Sequence, residues 1–147
     1  MNITSALLAL LLLQAPQSSI PGDRELGSSA DPDGTTRTYS VSYERLERTP
    51  SWNPEAGPPA LAMDRAVQVG RQWLIKQNPK FEGFRPAMLQ LMRVSEGGGL
   101  QKWIWTIHFE AKLGDRWLDG LGFEAYVLMD GTVVEPRISK QAPFSAR

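Results

Sequence analysis

Two segments in the C-terminal half of the chain alternate apolar and polar residues with a period of two. The first has one apolar face, made of Trp103, Trp105, Ile107, Phe109 and Ala111. The second repeats the pattern with Leu121, Phe123, Ala125, Val127 and Met129. This period is typical of half-buried strands, and a shift of one residue would turn every apolar side chain to the wrong face. We therefore expect two paired antiparallel strands with one shared apolar face.

The turns around these strands set their expected register. If residues 112–120 form the connecting loop, residue 111 pairs with 121 and residue 103 with 129. Asp130 and Gly131 predict a tight hairpin turn before Val133 and Val134. The last short strand is expected to end at Pro136, because proline suits a sheet edge.

A single segment has helical periodicity. In residues 60–77 the apolar positions recur at intervals of three and four, and they are Met63, Ala66, Val67, Gly70, Trp73 and Leu74. Prolines lie just before this segment, and Asn78 and Pro79 follow it, so both ends are marked. The spacing predicts an amphipathic helix.

Residues 39–43 and 87–95 also alternate, and Gly97 to Gly99 are expected to form a flexible hairpin tip. The fold class predicted is α+β, with one amphipathic helix packed across an antiparallel sheet of four to five strands. A single domain is expected over residues 38–140, followed by a tail over residues 141–147.

The N-terminal residues predict export. Residues 3–13 are almost entirely apolar and are followed by small and polar residues, so residues 1–19 are interpreted as a signal peptide. The segment is too short to span a bilayer, and a buried core element is the alternative interpretation. Residues 20–37 contain few large apolar side chains and are expected to form a flexible spacer.

Composition excludes several classes of function. Sixteen basic residues balance sixteen acidic ones, which argues against nucleic-acid binding. The chain has no Cys and a single His, His108, so thiolate or multi-His metal sites and a cysteine nucleophile are excluded. No cofactor is expected.

Three residues on the polar face of the paired strands are candidates for chemistry. Glu110 and Glu124 are expected diagonally across the strands, in an arrangement that resembles the carboxylate pair of glycoside hydrolases. His108 lies beside them and would be a general base oriented by an acid. The alternative is that all three are ordinary surface residues.

The tryptophans have two interpretations. Trp103 and Trp105 are spaced to stack on two sugar rings, but the apolar stripe continues beyond them, which favours core packing. Trp117 is expected in the hairpin loop, where it is the candidate for an exposed contact. Asp115, Asp119 and Asp130 could supply oxygen ligands to Ca²⁺, but their spacing does not match an EF-hand loop and they neighbour glycines, which favours a role in turns.

The helix, the strands that follow it and the segment from Tyr126 to Pro136 resemble the small PepSY-like and cystatin-like exported modules. Trp52-Asn53-Pro54 and the Asp-Gly-Thr-Val hairpin at residues 130–133 are also similar to small secreted proteins of planctomycete-type bacteria. The Asp-x-x-Thr-Gly ending of the PepSY pattern is present only as Asp130-Gly131-Thr132. The resemblance implies a cystatin-like roll and an extracytoplasmic setting, in which members bind proteins or restrain peptidases.

These observations lead to one expected function and one alternative. We expect a non-enzymatic, exported interaction or binding module, with an envelope protein or a peptide as the partner class. No stable membrane span is expected in the mature chain. The alternative is a weak hydrolase or a small-ligand or carbohydrate binder that uses the polar sheet face around His108, Glu110 and Glu124.

Export can be tested by intact-mass analysis of the protein purified from its native host. We expect loss of roughly 15 to 20 N-terminal residues, because signal peptidases cut after the apolar segment. Recovery of the uncleaved chain from the cytosol would contradict the prediction.

Overall fold

The computed structural model describes residues 22–30, 34–94 and 101–140, without the side chains of residues 119–122. Within these ranges the chain forms six strands, two α-helices and one 3₁₀ turn (Pro54–Ala56). In chain order the strands and helices are β1 (Asp23–Ala30), β2 (Thr35–Ser42), α1 (Tyr43–Glu47), α2 (Met63–Gln77), β3 (Gly83–Arg93), β4 (Trp103–Leu113), β5 (Arg116–Leu128) and β6 (Pro136–Lys140). The predicted α+β class and the main helix are confirmed.

The described strands form two antiparallel sheets where one sheet was expected. The first sheet has the order β1-β2-β6, and the second has the order β3-β4-β5. We predicted a last strand that ends at Pro136, and this position is wrong. The last described strand, β6, begins at Pro136 and pairs with β2. The reason is that the chain leaves β5 after the hairpin and continues in the other sheet.

Helix α2 covers one face of the β3-β4-β5 sheet. Its inward residues Ala66, Gly70 and Leu74 are buried, and the amide and side chain of Asn78 both bond to the carbonyl of Leu74 at its end. The buried core between helix and sheet consists of Leu61, Ala66, Leu74, Phe81, Phe84, Trp105, Ile107, Phe109, Ala111, Ala125, Val127 and Met129.

The tryptophan stripe packs against this core. Trp105 is buried and its indole N–H donates to the carbonyl of Leu61 at 2.9 Å. Trp103 is half-buried and meets the ring of Trp52 edge-on at 5.3 Å. Core packing is therefore confirmed for Trp105.

The register between β4 and β5 agrees with the sequence pattern along most of its length. His108 pairs with Glu124 and Phe109 with Phe123, as the predicted register requires. Beyond an irregularity, however, Ala111 pairs with Leu118. The predicted loop over residues 112–120 is wrong, because the strands continue to a tight turn at residues 114–115.

The second face of the β3-β4-β5 sheet is partly apolar, which differs from the polar face expected. The β1-β2-β6 sheet and α1 cover the part of this face that carries Ile104, Tyr126 and Leu128, and they bury a second core there. This core consists of Tyr39, Val41, Leu46, Val94, Ile104, Tyr126, Leu128 and Val134. The rings of Tyr39 and Tyr126 lie 4.6 Å apart at its centre.

Residues 20–37 were expected to form a flexible spacer, but their described part contains β1 and the start of β2. Strand β1 is held mainly by its backbone ladder to β2, which needs few large side chains. Gly27 follows an irregularity in this ladder and lies directly against the hydroxyl of Tyr126. Low hydrophobicity therefore did not prevent this segment from joining a sheet.

The Asp130-Gly131 hairpin is confirmed. Gly131 has a φ of 83°, and its amide donates to the carbonyl of Leu128. Asp130 accepts from the Thr132 amide and from Arg45 of α1. Partial burial acts to raise the pKa of the Asp130 carboxyl, but the bonds from Thr132 and the charge of Arg45 outweigh it and lower that pKa.

Several predictions concern residues outside the described ranges, including the signal peptide, the glycine-rich hairpin tip and the tail over residues 141–147. Within the described ranges, no helix is both long and apolar enough to cross a membrane.

Gly27→Ala tests the packing of β1 on the second sheet. A Cβ at this position would lie 2.1 Å from the Tyr126 hydroxyl oxygen, so something must move. We expect a loss of about 1–3 kcal/mol in the free energy of unfolding, measured by urea titration. Gly83→Ala is the matched control, since its Cβ would meet no atom within 4 Å.

The double variant Gly27→Ala/Tyr126→Phe should lose less stability than the two single changes summed, because removing the hydroxyl removes the closest contact of the new Cβ. Strict additivity would mean that β1 does not lie on Tyr126 in solution.

Candidate functional site

The structure brings together two of the three predicted chemical residues. Nδ1 of His108 lies 3.3 Å from a carboxylate oxygen of Glu124 on the neighbouring strand. The other oxygen of Glu124 accepts a hydrogen bond of 2.8 Å from the hydroxyl of Tyr126. The result is a cross-strand network of an imidazole, a carboxylate and a phenol, of which the sequence predicted the first two.

Tyr126 supplies a neutral donor to this network. Burial raises the pKa of the Tyr126 hydroxyl, and the hydrogen bond to Glu124 and the negative charge of that carboxylate raise it further. Tyr126 is therefore protonated wherever the domain is folded at ordinary pH. Its hydroxyl fixes one oxygen of Glu124 and leaves the carboxylate as an acceptor.

Glu110 is bound elsewhere. Its carboxylate forms an ion pair with Arg85 on β3, which is the neighbouring strand on the other side. The guanidinium carbon of Arg85 also lies 4.5 Å from the centre of the Trp117 ring. Trp117 lies in β5 and is half-buried, whereas the sequence predicted an exposed position in a loop. The reason is the tight turn that extends both strands past residue 112.

The described residues include no cluster of ligands that would support the Ca²⁺ interpretation. Asp130 is occupied by Arg45 and Thr132, as described above. Among the described residues, no three His, Cys, Asp or Glu side chains come together in a group that would hold a metal ion.

A cleft that the sequence analysis missed lies at the free side of β5. Its volume is about 300 Å³, which is at the lower end of the range of small-molecule sites. Residues from α2, β2, β5, β6 and the segment after α2 line it. They are Arg37, Tyr39, Trp73, Leu74, Gln77, Asn78, Lys80, Phe81, Phe123, Glu124, Pro136 and Ile138.

The cleft opens where the pairing between β5 and the following chain stops. Val134 donates its amide to the carbonyl of Tyr126, and Leu128 donates to the carbonyl of Thr132. Because an antiparallel ladder continues in steps of two residues, the next hydrogen-bonded pair would join Glu124 to residue 136. That residue is Pro136, which has no amide hydrogen to donate. It pairs with Tyr39 of β2 instead, so the two strands separate.

Aromatic rings form much of the wall of the cleft. Phe81 and Phe123 meet edge-on at 5.0 Å, and Trp73 is held by a hydrogen bond of 2.7 Å from its indole N–H to Glu135. These contacts place the rings on a fixed framework of α2 and the two sheets. The wall is therefore formed before any ligand enters.

The charged groups of the cleft are two cations and one carboxylate. Arg37 lies on β2, and Lys80 follows α2 with its ammonium 5.0 Å from the centre of the Phe81 ring. The carboxylate is that of Glu124, which His108 and Tyr126 already contact. The lining of the cleft is therefore aromatic and carries more positive than negative groups.

One sequence signal marks this cleft in retrospect. Pro136 follows Val133 and Val134 of the hairpin, at the position where the chain would otherwise add a fourth strand beside β5. The long sequence separation between Arg37, Trp73 and Phe123 hid the rest, since nothing local predicts that β2 and β6 meet. Comparisons with protein-family models, curated proteins and solved structures found no match for the chain.

The pH dependence of stability tests the raised pKa of Tyr126. An unfolded tyrosine ionises near a pH of about 10, whereas the folded state holds Tyr126 neutral. The stability contributed by this group is therefore complete below about pH 10 and is lost as the pH rises towards the folded-state pKa. We expect Tyr126→Phe to lose less stability than the unmodified chain between pH 8.5 and about 11 in urea titrations.

Tyr43→Phe is the control for this experiment, because the Tyr43 ring is exposed and the change leaves Tyr126 in place. The control should keep the original pH dependence. Equal slopes for all three proteins would contradict the assigned role of Tyr126.

Proposed function

We propose that this chain is a non-enzymatic binding module and that the cleft beside β5 is its binding site. The observation that carries the proposal is the cleft itself, about 300 Å³ in volume, with rigid aromatic walls and cations at Arg37 and Lys80. Concave sites that combine apolar walls with a few polar groups are the usual sites of ligand recognition.

The partners of the polar residues favour binding over catalysis. The Glu110 carboxylate is paired with Arg85, and the Glu124 carboxylate is contacted by His108 and Tyr126. A pair of carboxylates for hydrolysis needs one proton donor and one free acceptor facing the same substrate. These two carboxylates serve different partners within the protein.

A second candidate function is binding of a carbohydrate or another small ligand, or weak hydrolysis, on the polar sheet face. The observation in its favour is that His108 is 34 % exposed and contacts Glu124, which would orient the imidazole. This candidate predicts that His108→Ala abolishes ligand binding. The cleft proposal predicts that binding persists after this change, because His108 does not line the cleft.

We further propose that the module acts outside the cytoplasm and that its fold is a PepSY-like or cystatin-like roll. The apolar segment at residues 3–13 supports export. The order of α2 followed by the antiparallel strands β3, β4 and β5 supports the roll. The envelope partner suggested by the resemblance belongs to the same proposal.

The cleft is tested with anilinonaphthalene sulfonate, a dye with aromatic rings and one negative charge. Gln77→Trp places a large ring at the cleft from the exposed side of α2, and we expect it to reduce dye affinity about tenfold or more. Gln72→Trp adds the same ring to an exposed position of α2 that does not line the cleft.

We expect the Gln72→Trp control to bind the dye as the unmodified chain does. Chemical shift changes should centre on the Trp73 indole and on the Gln77 and Asn78 amides. Equal dye affinity in both variants would refute the cleft as the binding site.

A further inference from the structure

The edge of β5 that faces the cleft presents backbone groups as well as side chains. The carbonyl of Tyr126 points to this edge and accepts from the Val134 amide. The amide of Leu128 points the same way and donates to the Thr132 carbonyl. Glu124 is next in the same alternation, so its amide and carbonyl also point to the edge. Among the described residues, the bridge between Val127 and Val133 is the last β contact of β5 on this side.

An edge of this kind favours a particular class of ligand. A backbone amide and carbonyl two residues beyond an existing ladder form the template for one more strand. Extended peptides bind such edges with backbone hydrogen bonds, while their alternate side chains enter pockets on either side. A small aromatic molecule would fill the cleft but leave these backbone groups without partners from the ligand.

The side chains around Glu124 would receive the residues of such a peptide. Phe123 and Glu124 point to opposite faces of β5, and the cleft includes both of them. Phe81 and Trp73 form an apolar wall on the α2 side. On the other side, Tyr39 and Ile138 belong to β2 and β6. Successive side chains of an extended segment therefore meet one wall or the other.

The charge of the cleft completes the assignment. Arg37 and Lys80 both line it, and the carboxylate of Glu124 is already contacted by His108 and Tyr126. With two cations and one carboxylate in the lining, the net charge of the cleft favours a ligand carboxylate over a ligand cation.

Resting on the proposed function, we propose that the cleft binds an extended peptide that carries an acidic side chain, by strand addition to β5 at Glu124. The peptide continues the β3-β4-β5 sheet at the point where Pro136 prevents this chain from doing so. Its carboxylate binds at Arg37 and Lys80, and its apolar side chains pack on the aromatic wall.

The test uses three short peptides, each acetylated and amidated. The first is Thr-Val-Glu-Val-Thr, the second has Lys in place of Glu, and the third is the first with both valine amides methylated. We expect only the first to displace anilinonaphthalene sulfonate and to slow hydrogen exchange at the Glu124 amide. Methylation removes the backbone donors, and we expect at least about a tenfold loss of affinity.

A charge variant tests the cation. Lys80→Glu should reduce affinity for the acidic peptide about fivefold or more, with a smaller reduction at high salt. Lys76→Glu makes the same change on the exposed side of α2, away from the cleft, and should leave affinity within about twofold.

The results separate this inference from the function on which it rests. If the dye binds and Gln77→Trp blocks it, but no peptide competes, the binding cleft stands and strand addition is overturned. Equal binding of the methylated peptide also overturns strand addition, and equal binding of the lysine peptide overturns the acidic preference. If neither dye nor peptide binds, both proposals fall.

Discussion

Four successive residues of β4, from Ile104 to Ile107, are buried, so this strand is covered on both faces. Helix α2 covers the face of Trp105 and Ile107, and the β1-β2-β6 sheet covers the face of Ile104. Each cover needs the strand between them, because neither would bury its apolar side alone. Both cores include residues of β5, and the cleft at the free edge of that strand is lined by residues of both covers.

The parts of the fold that follow a local period were predictable. The helix over residues 60–77 agrees with α2, and the alternation at residues 103–111 fixed both the strand and its register opposite Phe123. The second sheet was not predictable in this way. Its first strand contains only Leu26 as a large apolar residue, and its ladder depends on backbone hydrogen bonds that any residue except proline can make.

The candidate site shows the same limit. The pairing of His108 with Glu124 followed from the register, because both residues belong to regular strands. The cleft did not follow, because it depends on where a ladder stops. A proline in a sequence indicates a missing donor, but only the bridge between Val127 and Val133 shows that the next pair of this ladder would have set Pro136 against Glu124. Long-range packing then decides that Arg37 and Trp73 border the gap.

The pairing of β2 with β6 has a consequence for how the chain folds. Thr35 pairs with Lys140 and Tyr39 with Pro136, so this ladder joins segments from opposite ends of the described chain. Closing so long a loop is entropically unfavourable and slow compared with forming the adjacent hairpins of β3, β4 and β5. The helix and its sheet are therefore expected to form first, and the cleft is completed only when the last strand docks. A nascent chain would thus remain without this cleft until synthesis has passed Lys140.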